Sequence, residues 1–364
     1  MAGEQRVDLV FEGGGVKGIG LAGAYRKLDD DGWQAQRVAG TSAGAITAAL
    51  VAAGYRGDEL EGLVLHEMEF PRFADGSGGL LGQTWELMRH GGLHKGEYFL
   101  GWMREQLEAK GVKRFGDLRT QEDAEDSTRG FRLQVIASDL SQRRLLVLPR
   151  DAARLGLDPD ELEVAAAVRM SMSIPLFFDP WLQHRPDSDA VHTIVDGGLL
   201  SNFPVWLFDA PAGQPPRWPT FGLLLVAPGQ REPLVSGAQA DDSADVSLSA
   251  LEYASAMAHT MLEAHDRLYV EQAEYARTIP IPTLGVNTTQ FDIDDDLKGR
   301  LYRSGYDAAT TFLRTWDFAA YTQAFRQGVA PASRRVSVQA LMGAPEPVTT
   351  VPGEGGPRSG PRTL

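Results

Sequence analysis

Two glycine-bounded junctions lie within the first 54 residues, and each joins an apolar run to a run with helical spacing. Val7 to Phe11 is a short apolar run that stops at Gly13-Gly14-Gly15, with Lys17 and Gly18 just beyond. From Gly15 to Leu28, Val16, Ile19, Ala22 and Leu28 recur at helical spacing. Val38 and Ala39 end a second short apolar run, which stops at Gly40-Thr41-Ser42-Ala43-Gly44. Ala43 to Ala53 then continues as small and apolar residues until Gly54 ends the helix. The predicted opening is strand, glycine turn, helix, strand, tight turn, helix. Such alternation calls for a parallel sheet with helices on its faces, because parallel neighbours need a crossover connection.

Further elements follow the same logic. A helix is predicted around Tyr98 to Ala109, strands over Phe131 to Ser138 and Arg144 to Leu148, and a helix over Glu161 to Val168. His192 to Val195 reads as a strand ending at Asp196-Gly197-Gly198, and Phe221 to Val226 as a late buried strand. Long helices are expected near Leu248 to Tyr275 and Asp295 to Phe318. Glu69 to Leu93 mixes glycines with Phe70, Leu81, Trp85 and Met88, which fits either a hinged cover that meets acyl chains or a membrane surface, or an ordinary packed loop. From about Pro345 the chain is rich in Pro, Gly, Ser and Thr and carries no apolar period, so 345–364 is expected to be a disordered tail. No linker or repeat interrupts the first 340 residues, which are read as one domain.

The first glycine turn admits two chemistries. Glycines let backbone N–H groups approach a ligand at the start of a helix, either as a phosphate cradle or as an oxyanion hole. Gly13, Gly15 and Gly18 fit G-x-G-x-x-G, but a dinucleotide site also needs an acid at the end of the second strand, and Ala39-Gly40-Thr41 has none. A packing turn without a ligand is the third alternative. The second junction fits G-x-S-x-G, in which a sharp turn exposes the serine and its flanking positions must be small. The following helix points its N-terminus at Ser42, which favours negative charge there. Alone, this pattern also describes an ordinary structural turn.

A serine nucleophile needs a base. An α/β-hydrolase supplies acid then histidine after the serine, yet Ser42 follows only the second strand, and His259 and His265 fall inside a predicted helix. Asp196 ends a predicted strand, and Gly197-Gly198 permit the tight turn that would aim its carboxylate.

Together these segments resemble the patatin-like phospholipases: Gly13-Gly14-Gly15 with Lys17 and Gly18, then Gly40 to Gly44 around Ser42, then Asp196-Gly197-Gly198, with Arg169 to Pro175 ahead of the acid. Lys17 stands where the family often has Arg. The resemblance covers residues 7–202 in motifs and implies one catalytic domain over residues 1–340. It implies a three-layer α/β/α fold with a central, mainly parallel sheet, related to the cytosolic phospholipase A2 catalytic domain. It also implies a Ser42–Asp196 dyad, an oxyanion hole at Gly13, Gly14, Gly15, Lys17 and Gly18, and elbow and turn glycines at Gly40, Gly44, Gly197 and Gly198. The implied substrate is a lipid or another ester, with no cofactor and no metal. An acyltransferase would use the same residues, and a lipid-binding module would keep the fold without the chemistry.

Composition limits the partners. The formal net charge of -14 disfavours nucleic acid, whose phosphates need clustered Lys and Arg. The absence of cysteine removes disulfides and thiolate metal sites. No apolar run approaches the roughly 20 residues that span a bilayer, and the N-terminus lacks a signal pattern, so a cytoplasmic chain touching membranes peripherally is expected. Asp292, Asp294 and Asp296 alternate like a calcium loop but lack its Gly and Glu, and are read as cap and first-turn acids of the last helix. Phe177, Phe178 and Trp181 are read as core.

Overall fold

The computed structural model describes residues 5–69, 72, 95–120, 130–210, 214–228, 272–288, 290 and 292–326. Strand β1 (Gln5–Phe11) passes through a 3-10 turn at Gly15–Gly18 into helix α1 (Ile19–Asp30). Strand β2 (Trp33–Thr41) passes directly into α2 (Ala43–Ala52), followed by α3 (Gly57–Gly62). Next come α4 (Glu97–Ala109), β3 (Leu133–Asp139), β4 (Arg144–Leu148) and α5 (Val164–Ser171). Then follow β5 (Trp181–His184), β6 (Val191–Asp196), β7 (Thr220–Val226) and β8 (Thr278–Pro282). Helices α6 (Asp295–Leu313) and α7 (Phe318–Phe325) come last.

Five strands, in the order β3-β2-β1-β7-β8, run parallel. The flank is antiparallel, with β4 and β6 both paired to β3 and β5 paired to β6. The sheet is therefore mixed, although its centre is parallel as expected. The reason is local: β3–β4 and β5–β6 are joined by short turns, which only antiparallel neighbours allow.

Period-two alternation sorts the strands into two faces. Leu9, Phe11, Val38, Leu223 and Leu225 join the large core that also takes in α1, α2 and α6. Val10, Ala39, Leu224 and Val226 point the other way and pack against Phe203, Val205 and Phe208. Phe178 is buried in the large core, with Phe177 and Trp181 packed against it, as read from the sequence.

Three elements differ from expectation. Helix α5 starts later than Glu161, because the backbone there is paired: the Phe115 N–H donates to Leu162 O and the Val164 N–H to Lys113 O. The last predicted helix stops at Leu313, and a new one begins where the Asp317 side chain accepts from the Ala320 N–H. Strand β8 carries Pro280 and Pro282 and gave no strand signal; among the described residues it pairs with β7 alone, an edge position where proline is tolerated. Asp294 caps α6 by accepting from the Leu297 N–H at 2.8 Å, in line with the cap assignment. The cover expected over Glu69 to Leu93 lies outside the described residues save Glu69 and Arg72. The tail at 345–364 lies outside them too, as does the helix near Leu248 to Tyr275 save for its last turn, Gln272–Tyr275.

Candidate active site

Ser42 occupies the corner between β2 and α2 with φ +53° and ψ -125°, a left-handed backbone conformation that a side-chain-bearing residue adopts at a cost of about 1–3 kcal/mol. The corner closes only because its flanks lack side chains. A Cβ on Gly40 would meet Gly44 O at 2.2 Å, and one on Gly44 would meet Phe11 O at 2.3 Å. The Ser42 N–H donates to Ser171 Oγ at 2.8 Å, and Ser171 Oγ donates in turn to Ile136 O at 2.5 Å. The end of α5 thus ties the corner to β3.

The sheet register brings Asp196 to this corner. On β3, Ile136 pairs with Thr41 of β2 and the next residue, Ala137, pairs with Asp196 of β6. Strand β4 pairs with Val135 to Asp139, so it takes the opposite edge and leaves β2 and β6 on a shared one. Parallel β2 and antiparallel β6 therefore meet end to end. The Asp196 N–H donates to Ser173 O at 2.8 Å, two residues beyond the anchor of Ser42. Gly197 presses on β3, since a Cβ there would lie 2.3 Å from Ile136 O.

The Asp196 side chain is fully buried. Its Oδ1 accepts from the Gly198 N–H at 2.8 Å. Its Oδ2 is buried and makes no hydrogen bond of good geometry. Burial pushes the carboxyl up to about 7; the Ser42 hydroxyl and the Gly198 N–H act in the opposite direction. The hydroxyl is thus near enough to act on the carboxyl without closing a well-aligned bond to Oδ2.

The first glycine turn lies against the same corner. A Cβ on Gly13 would meet Ser42 Cβ at 3.1 Å and Asn202 Oδ1 at 2.3 Å. The Gly13 N–H is not free: it donates to Asn202 O at 3.2 Å. Of the glycines expected to offer oxyanion donors, Gly13 therefore has its N–H engaged within the fold. No hydrogen bond engages the N–H of Gly14 or Gly15 among the described residues. Gly15 has φ +56°, and a Cβ there would lie 1.9 Å from Thr288 O. Gly18 serves close packing, with Ala43 Cβ 3.1 Å from where its own Cβ would be. Lys17 is buried and lies back over Gly14, its Cε 3.5 Å from where a Gly14 Cβ would sit.

The structure therefore gathers Ser42, Asp196 and both glycine turns, and adds three residues that carried no assigned role. Asn202 Nδ2 donates to Glu12 Oε1 at 3.2 Å and to Gly13 O at 3.1 Å, so the chain just after Asp196 clamps the first turn. Ser171 and Ser173 lie in the segment Arg169 to Pro175 noted in the sequence, where Arg169 Nη1 donates to Ser173 Oγ at 2.5 Å. The available signal was a serine at alternate positions in a segment too polar for its burial. His192 is held elsewhere, with Nδ1 2.7 Å from Asp139 Oδ2; His259 and His265 lie outside the described residues. Among the described residues, no group of three His, Asp or Glu side chains stands ready to hold a metal ion, and no helix is long and apolar enough to cross a membrane.

Comparisons with known proteins bear on this arrangement. The Patatin-like phospholipase family matches residues 9–209, which include Ser42, Asp196 and Asn202. The uncharacterized protein YqhO of Bacillus subtilis (strain 168) is 38% identical over 320 residues, covering 86% of this chain and 99% of YqhO. Among solved structures, VipD from Legionella pneumophila is similar with a TM-score of 0.50 at 17% identity, over 85% of this chain and 67% of VipD. ExoU, solved with SpcU from the type III secretion system of Pseudomonas aeruginosa, has a TM-score of 0.46 at 17% identity, over 85% of this chain and 52% of ExoU. A family match across residues 9–209 and a relative aligned over nearly its whole length lead to one conclusion: the chain belongs to the patatin-like phospholipase family.

Proposed function

We propose that the chain is a serine acyl hydrolase that cleaves carboxylic esters of lipids, as a phospholipase A or esterase, with Ser42 as nucleophile and Asp196 as general base. The observation that carries this is the buried Asp196 carboxyl, raised to about 7, beside a serine held in a strained corner. A carboxyl at its ordinary value near 3.8 is a poor base at neutral pH; one near 7 matches the proton it must take and return.

In the proposed reaction, Ser42 Oγ attacks the ester carbonyl carbon and its proton passes to Asp196. The oxyanion is met by the free N–H groups of Gly14 and Gly15, with Lys17 as a nearby positive charge. Each such donor is worth about 3 kcal/mol in other acyl transfers. Collapse breaks the ester bond, and the departing alcohol takes the proton from Asp196. Water then attacks the acyl-enzyme, gives its proton to Asp196, and the fatty acid leaves as Ser42 is re-protonated. The proposed catalytic unit is residues 1–340, with 345–364 dispensable.

The proposal includes peripheral contact with a lipid surface. Leu140, Leu182 and Val191 are large apolar side chains left exposed, and they lie together: the Leu140 N–H donates to Thr193 O, and Leu182 pairs with Thr193 on β6. Arg143 and Arg144 stand beside them in the β3–β4 hairpin.

The deciding experiment is labelling with a serine-reactive phosphonate, followed by a panel of phospholipids, glycerolipids and short esters. Labelling confined to Ser42 and release of fatty acid are the expected results. A folded protein that takes no label, or label at another serine, overturns the assignment. Acyl transfer to an alcohol in preference to water would assign an acyltransferase instead.

A further inference from the structure

Arg132, the residue before β3, carries a guanidinium that the fold has not neutralised. It is half-buried, and Nη2 makes one hydrogen bond, to Ala35 O at 3.2 Å. Nε is buried and has no partner among the described residues. Arg132 forms no ion pair with a carboxylate among the described residues. Arg37 and Arg277 are held differently, the first pairing with Asp8 and the second with Asp209. Burial works against the charge of Arg132, and Tyr25 is the group that favours it. A guanidinium has five N–H donors, so most of this one's capacity is unspent.

Arg132 lines a cleft of about 410 Å³, within the range of small-molecule sites. Tyr25, Trp33 and Tyr55 contribute aromatic rings to its lining, and Gln34 lies at the exposed rim. One carboxylate is present, Asp29, and both its oxygens are taken: Oδ1 by Arg56 at 2.9 Å and Oδ2 by the Gly57 N–H at 2.8 Å. The Tyr25 hydroxyl is also engaged, donating to Tyr55 O at 3.2 Å. With Arg132 and Arg56 against Asp29, the cleft keeps one surplus positive charge. It opens at the start of β2, whereas Ser42 follows the end of that strand, so it is separate from the candidate active site.

We infer that this cleft is a binding site for a small organic anion, in which Arg132 takes a carboxylate or phosphate group and the aromatic walls take a short flat or apolar body. Arginine suits either head, since its planar fork meets two oxygens at once. The inference does not rest on the role of Ser42, and its test reads binding alone.

The test is calorimetric titration of the whole chain with benzoate, phenyl phosphate, inorganic phosphate and the neutral isostere benzamide. Saturable binding of benzoate or phenyl phosphate is expected, at least about tenfold tighter than benzamide, which lacks the charge. The preferred head group shows which source the site serves, and inorganic phosphate tests whether the head suffices without the body. Arg132→Met should weaken binding by at least about tenfold, the equivalent of a lost charge-assisted pair. Gln34→Glu sets a carboxylate at the exposed rim, leaves the core untouched, and should weaken binding about threefold. Gln34→Glu decides the matter if Arg132→Met does not fold. No binding by the wild type, equal binding of benzamide, or undiminished binding in the folded variants would overturn the inference.

Discussion

Thr41 and Asp196 occupy neighbouring positions along one edge of β3, the first paired with Ile136 and the second with Ala137. Strands β2 and β6 approach from opposite directions, so the residue after Thr41 and the last residue of β6 are delivered to one point. The end of α5 fixes both from behind, through Ser171 to the Ser42 N–H and Ser173 O to the Asp196 N–H.

With Asp196 as base, its ionised fraction should set the acid limb of activity. The carboxyl sits at about 7, so kcat/KM on a soluble ester should rise about tenfold per pH unit below that value and level off above it. Asp196→Asn should lower turnover at least about a hundredfold, the lower end of acid–base catalysis, while the variant stays folded. His259→Gln and His265→Gln should change the rate little. An active Asp196→Asn enzyme alongside an inactive, folded histidine variant would falsify the dyad.

The same carboxyl should cost stability at alkaline pH. Its folded value of about 7 lies above the ordinary 3.8, so the folded state binds this proton more tightly than the unfolded state does. Stability from this group is therefore greatest below about 4 and falls as pH rises to about 7, by on the order of 4 kcal/mol at most. Asp196→Asn should melt higher than the wild type at pH 8, with a smaller gap at pH 5. A gap that widens on acidification would contradict the shift.

Ser171→Ala should act on position rather than on binding. It leaves the buried Ser42 N–H without its acceptor, at a cost of about 1–3 kcal/mol in stability. The elbow also loses its tie to Ile136 O. Steady-state kinetics should show a lower kcat with KM nearly unchanged; a rise confined to KM would place Ser171 in substrate binding instead.

Asn202→Asp should loosen the first glycine turn. It replaces the Nδ2 that donates to Glu12 and Gly13 with an oxygen and sets a second carboxylate beside buried Glu12. Phosphonate labelling of Ser42 should slow, and the loss in melting temperature should be larger at pH 8 than at pH 5, where carboxylates begin to protonate. Unchanged labelling would mean that the clamp does not position the turn.

Hydrolysis should persist in chelator, since the proposed chemistry routes every proton through Asp196 and every oxyanion contact through backbone N–H groups. Loss of activity in chelator and recovery with calcium would reveal a metal-dependent step.

What the sequence determined by itself is what depends on neighbours in the chain. Val7 to Phe11 and Phe221 to Val226 are buried strands because continuous apolar runs can be satisfied only inside a sheet, and Gly40 and Gly44 announce a corner no side chain could enter. Ser42 and Asp196 were legible as ends of strands beside small residues. Their meeting was implied only by the family resemblance and not by local pattern, because it depends on register along β3 and on β4 taking the other edge, and pairing between distant segments leaves no local signal. The same holds for Gly13, whose N–H looked free until Asn202 folded onto it, and for Ser171, a serine like any other until burial made its hydroxyl the acceptor of the Ser42 N–H. Tertiary structure also raised Asp196: an Asp-Gly-Gly turn in water keeps an ordinary carboxyl, and only enclosure by β3, β6 and the end of α5 strips away the solvent that held its charge.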